Sequence, residues 1–68
     1  MQQLVGILQQ AGTDGLLKLD AFDAVLGREI HIPASELNGA PFGMKVVAEL
    51  LSPPTETRMA RAKIIEVL

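Results

Sequence analysis

Sixty-eight residues, a formal net charge of −2 and no cysteine allow one small domain, residues 1–68, and few ways of holding it together. A chain this short buries only ~60% of the surface its unfolded form exposes, and without disulfides or a Cys/His ligand set for structural zinc its core must be plain aliphatic packing. The 49% hydrophobic composition is rich enough for that and excludes a disordered tail, which is poor in Val, Ile and Leu. A disulfide-framed secreted module is excluded as well. No apolar run approaches the ~18 residues of a membrane-spanning helix, and the Met1-Gln2-Gln3 start lacks the basic character of a signal peptide. The expectation is a soluble, cytoplasmic domain with no membrane association.

The turn-forming clusters divide the chain at Gly12-Thr13-Asp14-Gly15, Gly27-Arg28, Asn38-Gly39 through Gly43, and Ser52-Pro53-Pro54. Between them lie short pieces, 3–9, 16–21, 29–32, 44–51 and 59–68, a rhythm typical of an all-β domain. In the second piece Leu17 and Leu19 share one face, and Leu16 and Lys18 share the other. In the third, Ile30 and Ile32 point one way and His31 points away from them. After it, residues 34–37 read as one helical turn that Asn38 or Gly39 closes in the left-handed conformation. In the fourth piece Val46, Ala48 and Leu50 alternate with Lys45, Val47 and Glu49, the period-two pattern of half-buried antiparallel strands. The last two pieces fit short amphipathic helices as well, because their residues favour helix and Met59, Ala62, Ile65 and Leu68 fall at helical spacing. Periodicity alone leaves both choices open.

Little in this chain points to catalysis. Asp14, Asp20 and Asp23 flank glycines and a strand end, where aspartate is ordinarily a turn residue. Gly12-Thr13-Asp14-Gly15 lacks the lysine and following helix of a phosphate-binding loop. The basic residues Arg28, Lys45, Arg58, Arg61 and Lys63 are interleaved with Glu29, Glu49, Glu56 and Glu66, the pattern of a mixed solvated surface. A barrel that gathered Lys18, Lys45 and Lys63 on one side would nonetheless make a cationic patch. His31 is either an ordinary exposed strand residue or a nucleic-acid contact, since an imidazole can stack on a base while a neighbouring lysine reaches phosphate. Acidic net charge and the presence of only Phe22 and Phe42 as aromatics both weigh against tight binding of single strands.

The run Glu29-Ile30-His31-Ile32-Pro33-Ala34-Ser35-Glu36-Leu37-Asn38-Gly39-Ala40, followed by Gly43-Met44-Lys45-Val46-Val47-Ala48-Glu49-Leu50 and by Ala62-Lys63-Ile64-Ile65-Glu66-Val67-Leu68, resembles the N-terminal cold-shock-like domain of the ribonuclease R exoribonucleases. Leu4-Val5-Gly6-Ile7-Leu8 resembles the opening strand of that domain. The resemblance implies an OB-type barrel of five antiparallel strands, with both ambiguous pieces extended. It implies binding of single-stranded RNA across strands two and three, helped by the loops between strands one and two (residues 10–15) and four and five (residues 52–58). It also implies that the chain is an accessory part of a longer polypeptide, in contact with its other domains. The family's catalytic carboxylates and magnesium belong to a separate domain, so neither catalytic residues nor a cofactor are expected within residues 1–68.

The sequence departs from the cold-shock pattern where RNA would stack. Leu16 and Lys18 stand where strand two carries rings, and His31 replaces a third on strand three. The candidate RNA contacts are therefore Leu16, Lys18 and His31, with Lys45 and Lys63 as further cations, and the expected binding is weak. The competing expectation is a degenerate barrel that serves as a spacer or docks on protein.

Overall fold

The structure, a computed structural model, describes residues 2–68. Five strands, β1 (Gln3–Ala11), β2 (Asp14–Asp23), β3 (Gly27–Ile32), β4 (Lys45–Ser52) and β5 (Arg61–Val67), close into a barrel in the order β1-β2-β3-β5-β4. All neighbours are antiparallel except β3 and β5, which run parallel and share the single register pair His31–Arg61. A 3-10 turn, Ala34–Glu36, is the one helical element among the described residues. This is the all-β OB-type barrel that alternation and resemblance predict.

The inward side chains come from every strand: Leu4 and Leu8, Leu17 and Leu19, Ile30 and Ile32, Val46 and Ala48, Ala62 and Ile64. Strand pleating sends their neighbours outward, which is why Leu16, Lys18 and His31 lie on the outer surface as expected. Leu37, following the 3-10 turn, packs against the core, and Asn38 and Gly39 both adopt positive φ, 51° and 75°. The Asn38 side-chain amide donates to the Ile64 carbonyl at 2.5 Å and ties this turn to β5.

Strand boundaries differ from expectation at both loops. Residues 10–15 are not a loop: Gln10 pairs with Gly15 and Ala11 with Asp14, leaving only Gly12-Thr13 as a tight turn. Gly12, at φ +64°, supplies the left-handed residue that such a turn needs. Conversely, β5 begins at Arg61, so the β4–β5 loop is residues 53–60 and takes in Met59 and Ala60. The helical spacing of Met59, Ala62, Ile65 and Leu68 has no structural counterpart. Only Ala62 is buried, and Ile65 is the extra residue of a bulge between the pairs Val47–Glu66 and Ala48–Ile64.

Barrel closure depends on Gly6. It lies opposite Leu19 of β2 and Val46 of β4, so β1 is bonded on both edges there. A Cβ at this position would collide with the Lys18 carbonyl group and come within 2.9 Å of the Leu19 Cα. Backbone cannot yield as a flexible side chain does. We therefore expect Gly6→Ala to cost about 3 kcal/mol or more, the upper range of overpacking, against the ~3–5 kcal/mol that a core of this size supplies. Thermal melts followed by circular dichroism should show a largely unfolded variant. Gly12→Ala, with open space around its Cβ, should lose only about 1 kcal/mol to left-handed strain.

Candidate nucleic-acid interface

Register sets one outward row across four strands. Gln9 pairs with Leu16, Leu16 with His31, and His31 with Arg61. Leu16, His31 and Arg61 are each half-buried, forming a shallow surface of one aliphatic, one imidazole and one guanidinium group. Lys18 stands in the adjoining row, between Ile7 and Glu29, and is exposed.

The remaining predicted cations are placed elsewhere. Lys45 sits across β1 from Lys18, its register partner also being Ile7, and its Nζ lies 2.7 Å from Asp20 Oδ2. Lys63 follows Arg61 on the outer side of β5, and its Nζ is 3.7 Å from Glu49 Oε1. Thus the structure brings Leu16, His31 and, one row away, Lys18 together. It leaves Lys45 and Lys63 paired with carboxylates.

The aspartates divide among separate tasks. Asp23 Oδ1 accepts the Val25 and Leu26 amides, each at 2.8 Å, and organises the β2–β3 turn as a turn residue does. Asp20 pairs with Lys45. Asp14 is no mere turn residue: its Oδ1 accepts the Ala34 amide at 2.9 Å and its Oδ2 lies 2.7 Å from His31 Nε2. An ionised carboxylate can only accept, so Nε2 carries the proton and the ring orientation is set. Among the described residues no three His, Asp or Glu side chains lie close enough to hold a metal ion.

Two residues of this face, Arg58 and Arg61, carry no motif in the linear chain. Beside His31 opens a cleft of about 340 Å³ lined by His31, Thr57, Arg58, Met59 and Arg61. Arg58 and Arg61 read as scattered surface charge in the linear chain; the available signal was their position at the end of a long loop that OB folds use for binding. Phe22, absent from this face, is 65% exposed near the end of β2, and Val25, in the β2–β3 turn, is 74% exposed.

A sequence profile of the Cold shock domain family matches residues 20–68. The chain is also similar to ribonuclease R of Thermotoga maritima, with 28% identity over 68 residues, covering all of this chain and 9% of the relative. It thus spans less than a tenth of that protein's length, and no described helix is long and apolar enough to cross a membrane.

The bonds to Asp14 carry a pH signature. The hydrogen bond from His31, followed by that from the Ala34 amide, lowers the Asp14 pKa below the usual aspartate value. The Leu26 and Val25 amides do the same for Asp23. A lowered folded pKa stabilises above the unfolded value, and that contribution is lost as pH falls through the folded one. We expect Asp14→Ala to melt below the parent at pH 6. The difference should begin to shrink as pH drops below about 4, where the aspartate of the unfolded chain takes up its proton, and should vanish only once pH falls through the lower folded value. Melting curves from pH 2 to 7 check this; a difference independent of pH would show that the carboxylate charge is not involved.

Proposed function

The chain belongs to the cold shock domain family, and from that premise we propose that it is an accessory RNA-binding domain of a ribonuclease R-like exoribonuclease. In this reading it holds single-stranded RNA loosely on the outer face of β2 and β3 and guides the strand toward a catalytic domain outside residues 1–68. Magnesium-dependent hydrolysis belongs to that domain, and the site of action is the cytoplasm. The observation that carries the reading is the continuous row Leu16–His31–Arg61, on the face and beside the loop that OB barrels use for single strands.

The chemistry of the row accounts for weak rather than tight binding. Each base stacked on an aromatic ring contributes ~1–3 kcal/mol, and here Leu16 offers apolar contact without a ring. His31 has a ring, but Asp14 orients it and places a negative charge beside the RNA path. What remains is mainly electrostatic and therefore sensitive to salt.

A second reading, a spacer or protein-docking barrel, is favoured by the exposed Phe22 and Val25 at the β2–β3 turn.

Fluorescence anisotropy with labelled oligo(A) separates the two. With two to four cations engaged, log affinity should fall with log salt at a slope of roughly −1.5 to −3, from ~0.7 per phosphate on single strands. Leu16→Phe restores one ring while leaving the His31–Asp14 bond intact, and should tighten binding at least about five-fold, the low end of one base–aromatic stack. Should the parent show no salt-dependent binding and the normally folded variant bind no better, the docking reading prevails.

A further inference from the structure

Resting on the RNA-binding reading, we infer that the backbone phosphates are gripped by Arg58 and Arg61 in the cleft between β3 and the β4–β5 loop. Lys45 and Lys63, which the linear sequence also singles out, are bystanders, each held by a carboxylate. The ligand class is a single-stranded phosphodiester backbone, held one nucleotide at a time and with little regard to base.

Several independent features converge on this cleft. Its volume, about 340 Å³, lies near the lower end of small-ligand sites and suits one nucleotide unit rather than a duplex. Two of its five lining residues are arginines, and none is acidic. Among the described residues neither arginine has a carboxylate oxygen within 4.0 Å, whereas Lys45 and Lys63 both do. A paired lysine must give up its partner before it can serve a phosphate; these arginines need not. Guanidinium also matches phosphate geometry with two parallel hydrogen bonds, which ammonium cannot do.

The cleft is held ready by its own backbone. Thr55 donates its amide to the Arg58 carbonyl at 2.9 Å. Its Oγ1 accepts the Arg58 amide at 3.1 Å and the Thr57 amide at 3.3 Å. Pro53 and Pro54 stiffen the approach to this small ring. On the other wall the His31 amide donates to the Ala60 carbonyl at 2.8 Å, which sets the start of β5 and so the position of Arg61. Between the arginines Met59 is 41% exposed, an adaptable apolar surface for a ribose or base without hydrogen-bond readout. Asp14 touches the site only through His31, and its other oxygen is committed to the Ala34 amide.

The test compares two double variants in salt titrations with fluorescein-labelled oligo(U) and oligo(A). Arg58→Gln/Arg61→Gln should weaken both ligands ten-fold or more at low salt and make the log–log slope shallower by about 1.4, two phosphates at ~0.7 each. Lys45→Gln/Lys63→Gln should change affinity less than about two-fold, because both lysines are already paired. Arg58→Lys/Arg61→Lys should restore the slope with only partial recovery of affinity, since charge returns without the planar fork. A merely structural role for the arginines would not produce that split. The inference is overturned if the parent binds with the stated salt slope and that slope survives loss of the arginines, whatever the lysine variant does. No binding by the parent to either oligonucleotide overturns the RNA-binding reading itself. Melting curves of each variant establish that the barrel is intact; Arg58 is exposed and its loss should leave folding unchanged.

Discussion

The close approach of β1 to both its neighbours at Gly6 is the constraint on which the rest of the barrel depends. A strand bonded on both edges has to curve tightly in so small a barrel, and at Gly6 there is no room for a side chain between β1 and the Lys18 carbonyl. Closing the ring removes sheet edges that a 68-residue chain has few other means of covering. It also makes the inside narrow, so that aliphatic side chains from five strands fill it without any aromatic residue.

Closure determines what the outside can do. Once Leu17, Ile30 and Ile32 are committed to the interior, Leu16 and His31 must face outward as neighbours. The parallel seam between β3 and β5 is short, with one register pair, and there the surface dips into the cleft beside the β4–β5 loop. The same seam puts Arg61 next to His31, though thirty residues separate them in sequence. A site can therefore form on this barrel from residues whose spacing carries no motif.

The face combines opposing tendencies. Cationic groups favour a polyanion, while Asp14 and Glu29 oppose it, and the imidazole of His31, held by Asp14, is the one ring on the face. Asp14 joins fold and site, because the carboxylate that receives the Ala34 amide after β3 also orients the imidazole. On the proposed RNA-binding reading, such a surface would hold a strand weakly and release it readily.

Much of the architecture was legible in the residues themselves. Alternation of Leu17, Leu19, Ile30, Ile32, Val46 and Ala48 determined which side chains are interior, and Asn38-Gly39 marked the left-handed turn. For residues 59–68 the local pattern was ambiguous between helix and strand, since Ala62 and Ile64 lie inward at period two while Met59, Ala62 and Ile65 fit period three. Pairing with β4 decided the matter, a long-range interaction that no local window contains. Pairing likewise turned residues 10–15 from an apparent loop into the end of a hairpin. The site followed the same division. Outward placement of Leu16, Lys18 and His31 was determined by the sequence, because strand pleating is a local property. Which charges remain unpaired was not: Lys45 meets Asp20 and Lys63 meets Glu49, while Arg58 and Arg61 share a cleft with His31. Only the tertiary structure decided that, because an ion pair depends on the distance between atoms that chain closure alone brings within reach.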